Sequence, residues 1–530
     1  MAGMKAQLWA IMAVALSADG AQAQTVQAKP KVWVEGGAIA GRRDGPTEAF
    51  LGIPYAAPPV GALRWRAPQP VRSWQGVRPA LAYGHDCMQE PFPSDAAPLG
   101  TKPAEDCLVA NVWRPAGAKA GAKLPVMVWI YGGGNVNGGA SPSVYSGAPF
   151  ARDGVVFVSF NWRVGRFGFF DFPGLAKAGQ DDGLKGNFGY MDSIAALKWV
   201  RRNVAAFGGD PSRVTIYGQS AGAGQVAMLL ATPLARGLFQ QAIIQSGGNA
   251  SNDPRPWEGG PGVVGIEQAG INFARRWGIE GTGPEAVVRL RALTAEQVTD
   301  GIHIGTSSAQ RERFAGPSRD GRIVTESLLK AIEAGRAAKV PLIIGSTGAD
   351  NYAGMRETSL ENAFTKTFAK GQDQARAAYA ALANGNADYA LREMGRDISY
   401  REPARRMSTL LRAQGLPVYD YRFNYVAASM RQEWPEGPPH ATDIPYSMDT
   451  LAAKYGSSLT AQDRGVARAL HAYWVNFVKK GDPNGPGLPH WPVFEAKDDA
   501  IMQFAADGAN AAAPDPLKVR LDAVATARYP

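Results

Sequence analysis

A serine set among the smallest residues stands out at 216–224, IYGQSAGAG. Ser220 follows an apolar run, RVTIY (213–217), and is bracketed by Gly218 and Gly222 in the pattern G-x-S-x-G. If a strand ends here and a helix opens at Ala221, the turn between them forces its middle residue into strained backbone. Glycine on either side removes the Cβ atoms that would collide. The hydroxyl then projects over the sheet edge, with a helix N-terminus beneath it. Taken alone, the five residues suit a glycine-rich loop as well; the strand-like run before them and the helical run after them favour the turn.

A nucleophilic hydroxyl needs a base, an acid that orients the base, and donors for an oxyanion. The chain has five histidines. His85 beside Cys87, His303 in GIHIG, His471 in a helical run and His490 in LPHWP read as structural. His440 lies in a late loop rich in proline and polar residues, EGPPHATDIPY, and reads as the base, although a solvated histidine would look the same. Where a strand–turn–helix serine is the nucleophile, its partners follow in the order Ser, acid, His. The acid is then expected between 220 and 440, just after a strand, and VPLIIGSTGADNY offers Asp350. Asp443 competes from within the His440 loop; Asp182 and Asp192 precede Ser220 and break the order. For the oxyanion, WIYGGGN (129–135) offers backbone N–H groups left open by three glycines, with a flexible loop as the alternative.

The elements that must position these groups are legible as apolar runs of strand length: 124–131, 154–162, 213–217, 241–246, 340–346 and 417–423. They are continuous rather than alternating, as strands buried on both faces should be. Helical periods separate several of them. Ile194, Leu197, Val200 and Val204 share one face, and Val466, Leu470, Tyr473, Trp474, Phe477 and Val478 share another. The second helix has Thr460 as its N-cap and stops at KKG before the turn DPNG. Strand and helix in alternation predict a mostly parallel sheet with helices on both faces. Residues 31–65 read as antiparallel strands around EGG and RDG turns. Segments 262–338 and 355–412 are helix-rich and break the rhythm, so they read as insertions over the C-terminal edge of the sheet within one domain, 24–530. The Ala-rich stretches 116–123 and 508–514 read as surface connectors.

The chain has 530 residues, 45% hydrophobic and 19% charged, which permits a large core and argues against global disorder. Residues 1–23 read as an export signal. An apolar run, LWAIMAVAL (8–16), follows Lys5, and AQA (21–23) places cleavage before Gln24. The run is too short to span a bilayer, so no stable membrane insertion is expected. A periplasmic or secreted location follows, in which Cys87 and Cys107 can oxidise; two free buried thiols are the alternative. The net charge of +9 carries no basic block and no nucleic-acid motif, and it suits anionic surfaces or substrates. No H-E-x-x-H, paired C-x-x-C or P-loop is present, so no metal or organic cofactor is expected.

From about 31 to 505 the chain resembles the type-B carboxylesterases, which include cholinesterases and fungal lipases. The likeness rests on FLGIPYAAPPVGALRW (50–65), EDCL (105–108), WIYGGG, FNWRVGRFGFF (160–170), ALKWVRRNVAAFGGDPSRVTIYGQSAGA (196–223), QSG (245–247), HATDIPY (440–446) and YWVNFVKKGDPN (473–484). The resemblance implies an α/β-hydrolase fold and an acyl-enzyme mechanism on small-molecule esters. It implies Ser220 as nucleophile, His440 as base and Asp350 as acid, with N–H donors from Gly133, Gly134 and Ala221. Ser246 would buttress the acid, and Cys87 would pair with Cys107. Departures are visible. The acid is usually glutamate, Asn135 replaces a common aromatic, Val109 and Ala110 stand where an aromatic usually follows EDCL, the loop after EDCL is truncated, and loop 88–106 holds no tryptophan. The missing tryptophan argues against choline esters. A lipase or amidase of the same mechanism, or a catalytically silent binding domain, remain alternative readings.

Overall fold

The computed structural model describes residues 29–529, apart from 94–96, 178–180, 248–253, 352–354 and 356. The expected export segment 1–23 lies outside the described residues. An 11-stranded sheet dominates the fold. In chain order its strands are β1 (Arg42–Asp44), β2 (Thr47–Pro54), β3 (Val109–Pro115), β4 (Leu124–Ile130), β5 (Val156–Phe160), β6 (Gly209–Gln219), β7 (Gln241–Gln245), β8 (Leu342–Thr347), β9 (Val418–Phe423), β10 (Ala500–Phe504) and β11 (Asn510–Pro514). Their spatial order is β11-β10-β9-β8-β7-β6-β4-β5-β3-β2-β1. The run from β5 to β10 is parallel, and antiparallel strands close both flanks. This is an α/β-hydrolase arrangement.

The six apolar runs all form parallel strands of this sheet. Each of β5, β8 and β9 is buried along its whole length, because helices cover both faces. The helix α1 (Phe188–Asn203) buries Ile194, Leu197 and Val200. The helix α2 (Ala221–Ala231) is buried on every side, which its Ala, Gly, Val, Met and Leu permit, and its one polar residue, Gln225, accepts from the Ser193 hydroxyl at 2.9 Å. The helix α3 (Ala461–Lys480) opens on a capping box, in which Thr460 accepts from the Asp463 N–H and Asp463 answers to the Thr460 N–H. It stops at Gly481 in the left-handed conformation. One connected hydrophobic core runs from Val32 to Phe504, and a second, smaller cluster joins Phe364, Phe368 and Tyr379 to Ala523 and Val524. No helix among the described residues is long and apolar enough to cross a membrane.

Two elements differ from the sequence reading. Residues 510–514, expected as a connector, form the edge strand β11, paired with β10 from Ala500↔Pro514 to Phe504↔Asn510. Alanine has little strand preference of its own, so the neighbouring strand supplies the order. Strand β3, VANVWRP, carries no isolated apolar run yet inserts between β2 and β5.

Candidate active site

The parallel register brings the C-terminal ends of five strands to one edge. Ile130 pairs with Gly218, Gln219 with Gln245, Gln245 with Gly345, and Thr347 with Phe423. The segments leaving the first four of those ends are 131–135, 220–224, 246–247 and 348–351. Open α/β sheets bind their ligands at such an edge.

Ser220 occupies the turn between β6 and α2 with φ 57° and ψ −124°, a conformation that side chains rarely adopt. The flanking glycines are sterically required. A Cβ on Gly218 would lie 2.3 Å from the Gly222 carbonyl oxygen, and one on Gly222 would lie 2.0 Å from that of Ile130. The Ser220 N–H donates to the Gln245 carbonyl at 3.0 Å, which ties the turn to the neighbouring strand. Every residue of 214–231 is buried except Ser220, which is partly open to solvent.

Asp350 and His440 meet although 90 positions separate them, with Nδ1 2.5 Å from Oδ1. Their loops are joined by a parallel bridge between Ala349 and Pro439, so the next residue on each loop is Asp350 or His440. The Ala349 N–H donates to the Pro438 carbonyl at 3.0 Å. This contact lets an aspartate reach the imidazole. Asp350 is 1% exposed. Burial raises its carboxyl, but the charge and hydrogen bond of His440, with smaller contributions from Ser246 and the Asn351 N–H, outweigh burial and hold it below its ordinary value. Ser246 Oγ is buried without a bond of normal geometry, yet it lies close enough to Asp350 to contribute. For His440, burial pushes the imidazole down, and the charges of Asp350 and Asp443 together with the Asp350 hydrogen bond raise it above its ordinary value.

Ser220 Oγ makes no hydrogen bond to His440 in this arrangement. The Nε2 atom of His440 stands 3.1 Å from the side-chain nitrogen of Gln219, the residue before the serine. An amide nitrogen can only donate, so Nε2 accepts and the proton sits on Nδ1, facing Asp350. Catalytic hydrogen bonds are often loose without substrate.

The backbone N–H groups of Gly133, Gly134 and Ala221 donate to no acceptor among the described residues. Gly133 has φ 117°, and a Cβ there would lie 2.2 Å from the Asn137 carbonyl oxygen, so the loop closes tightly on itself. Ala221 opens α2, where unpaired N–H groups and the helix dipole favour negative charge.

The other candidate acids sit elsewhere. Asp443 is fully buried beneath His440 and accepts from the Tyr421 hydroxyl at 2.9 Å and the Gln245 amide at 3.1 Å. Burial pushes it up to about 6. Asp192 is clamped by Arg163, and Asp182 is on the surface. His471 is held between the Ser447 carbonyl and Asp153. Cys87 and Cys107 form a disulfide that closes the 88–106 loop. That loop supplies Phe92, whose ring lies 5.8 Å from that of His303.

A buried ionic cluster behind the acid escaped the sequence reading. Arg396 Nε donates to the Asp350 carbonyl at 3.1 Å, and Arg401 donates to the Gly348 carbonyl. Both arginines are anchored by Glu393, and Arg401 also by Asp397. Burial raises the Glu393 carboxyl, but Arg401 and Arg520 outweigh it and leave the group well below its usual range. The signal was present in LREMGRDISYRE, where Glu393, Arg396, Asp397 and Arg401 recur at helical spacing.

Comparison with known proteins places this geometry among relatives. The profile of the Carboxylesterase family matches residues 28–517. The fumonisin B1 esterase of Sphingopyxis macrogoltabida is 32% identical over 517 residues, covering 95% of this chain and 91% of that protein. The para-nitrobenzyl esterase of Bacillus subtilis (strain 168) is 32% identical over 497 residues, 88% of this chain and 93% of its own. Carboxylesterase 1C of Rattus norvegicus is 30% identical over 496 residues, 86% and 85% of the two chains. Among solved structures, a PNB esterase superposes with a TM-score of 0.78 at 28% identity, covering 95% of this chain and all of that one.

Proposed function

This chain belongs to the carboxylesterase family and is a carboxylic-ester hydrolase, and from that premise we propose that it works through an acyl-enzyme on Ser220. The Asp350–His440 pair, at 2.5 Å beside the strained Ser220 turn, carries this reading. Substrate entry exchanges the Gln219 amide on His440 Nε2 for the Ser220 hydroxyl. Ser220 Oγ then attacks the ester carbonyl as Nε2 takes its proton. Asp350 keeps Nδ1–H in place and stabilises the imidazolium. The oxyanion accepts from Gly133, Gly134 and Ala221. His440 gives its proton to the departing alcohol, and a water molecule activated by the same imidazole clears the acyl-enzyme.

Ser220→Ala should remove nearly all turnover of a p-nitrophenyl ester, and an organophosphate should label Ser220 stoichiometrically. Labelling at Ser246, with Ser220→Ala still active, overturns the assignment. Short and medium acyl esters are the expected substrates, with choline esters disfavoured because loop 88–106 holds no tryptophan to face a quaternary ammonium. A kcat/KM for butyrylthiocholine equal to that for an uncharged butyrate ester contradicts this.

The continuous core from Val32 to Phe504 supports reading 24–530 as one domain with insertions at about 262–338 and 355–412. The A-x-A signal before Gln24 and the Cys87–Cys107 disulfide support export to an oxidising compartment. N-terminal sequencing of the exported protein should begin at Gln24; a retained leader in a cytosolic product contradicts it.

A further inference from the structure

Beside the oxyanion loop lies a cleft of about 180 Å³, lined by Gly134, Asn135, Arg255, Ser307, Ser308 and Arg311 among others. Its two cations come from separate segments. Arg255 is held by a short parallel bridge, in which Arg255–Pro256 pairs with Ser318–Arg319 and the Arg255 N–H donates to the Pro317 carbonyl at 3.2 Å. Arg311 lies on the turns between Gly301 and Phe314 that cover the glycine loop, where the Ile304 N–H donates to Asn137 Oδ1 at 2.9 Å.

Neither guanidinium has a hydrogen-bond or ion-pair partner among the described residues. They stand close enough that half-burial of Arg255 and the charge of Arg311 together lower the Arg255 pKa. Two like charges lining one cleft, with no carboxylate among its described lining residues, are a repulsive arrangement that an anion relieves. A second cleft, of about 330 Å³, shows the contrast. Its Lys185 is already paired with Asp171 and Glu267, its Arg322 donates to the Asp182 carbonyl, and Glu258 and Asp320 add negative charge. Among the described residues, the cleft at Gly134 sets two unpaired guanidinium groups beside the oxyanion loop.

We infer that Arg255 and Arg311 form an anion subsite that selects esters bearing a free carboxylate close to the scissile carbonyl. This inference rests on the Ser220 mechanism above and names its substrate class. The subsite shares Gly134 with the proposed oxyanion donors, so a group bound there lies beside the ester oxygen. The cleft's 180 Å³ equals the share of about six waters at ~30 Å³ each, room for a carboxylate on a short chain rather than a long acyl tail. A planar guanidinium matches a carboxylate with two parallel N–H donors, and two of them grip one carboxylate from both sides.

The test compares matched substrates in the full protein. Mono-p-nitrophenyl glutarate is set against p-nitrophenyl valerate, with the charge on the acyl side. 4-Acetoxybenzoate is set against 4-acetoxybenzamide, with the charge on the alcohol side. The wild type should favour the charged member of at least one pair by tenfold or more in kcat/KM. That ratio should shrink in 0.5 M NaCl, as screening requires. It should fall at least tenfold in the Arg255→Gln/Arg311→Gln double variant, and Arg311→Glu should push it below one. Ratios near one in both pairs, or a preference that survives the double variant, overturn the subsite. Calorimetry of glutarate on Ser220→Ala protein reads the same site without turnover. Binding should weaken at least tenfold when both arginines are replaced, and unchanged or absent binding refutes it. A Ser220→Ala protein that still hydrolyses p-nitrophenyl valerate removes the Ser220 mechanism while leaving the glutarate result to stand or fall by itself.

Discussion

Replacing Asp350 by asparagine keeps the shape of the acid and removes its charge. The amide must choose between two orientations. Asp350 Oδ1 accepts from the Asn351 N–H at 2.8 Å and faces His440 Nδ1 at 2.5 Å, while Oδ2 accepts from the Thr347 N–H at a longer 3.3 Å. Placing the new NH2 at Oδ1 would set it against the shorter backbone N–H and force the imidazole proton onto Nε2. Placing it at Oδ2 sacrifices the longer Thr347 contact and keeps the shorter two. The second orientation is therefore favoured, and the productive tautomer survives. What is lost is the attraction between carboxylate and imidazolium, about 4 kcal/mol for unit charges ~4 Å apart at an effective dielectric of ~20. At 1.36 kcal/mol per tenfold, kcat should fall by about 10³. A wrong tautomer would deepen the loss towards about 10⁴. The His440 pKa, which Asp350 raises against the effect of burial, should drop, moving the acid limb of the kcat/KM profile to lower pH. Stopped-flow single turnover of p-nitrophenyl butyrate across pH 5–9, beside thermal unfolding of each variant, measures all of this. A folded Asp350→Asn protein within tenfold of wild type refutes the reasoning. So does an Asp443→Asn variant that alone abolishes kcat.

The Gln219 amide on His440 Nε2 is uncharged. Gln219→Glu places a carboxylate there, favours the imidazolium, and should move the acid limb of kcat/KM up by about one pH unit or more; an unmoved limb excludes the contact. Asp420 is pushed up to about 7, first by burial and further by the nearby Asp515 and Asp499 charges. Its folded pKa is thus raised, so its favourable contribution is complete below the ordinary carboxylate range and is lost as pH rises through about 7. Asp420→Asn should therefore raise the unfolding midpoint clearly at pH 8.5 and by less at pH 5, where part of the loss has already accrued; equal shifts at both pH values contradict this. Removing the Cys87–Cys107 bridge as a double alanine variant should lower stability by about 3 kcal/mol in urea, given a sequence separation of 20 residues. A loss below about 1 kcal/mol would show that the loop is held without the disulfide.

What the sequence determined by itself was local. Continuous apolar runs mark strands buried on both faces, because such strands have no polar side to show. The crowding of Gly218, Ser220 and Gly222 reflects contacts of 2.3 Å and 2.0 Å that any Cβ would make. Thr460 announced its helix because a cap is a bond between residues three apart. Where recognition was needed, for Asp350 over Asp443, motif likeness supplied it and spacing could not. The tertiary structure decided everything that depends on residues distant in the chain. It set the Asp350–His440 distance through the Ala349–Pro439 bridge, put Gln219 on Nε2, and placed Arg396 and Arg401 behind the acid loop. It also turned an Ala-rich stretch into β11 by giving it a partner. Bringing Arg255 and Arg311, 56 positions apart, to one cleft belongs to the same class. Hydrophobic periodicity and steric exclusion act over a few residues and can be read from their order. Charge pairing acts through space, and only the folded chain fixes which charges meet.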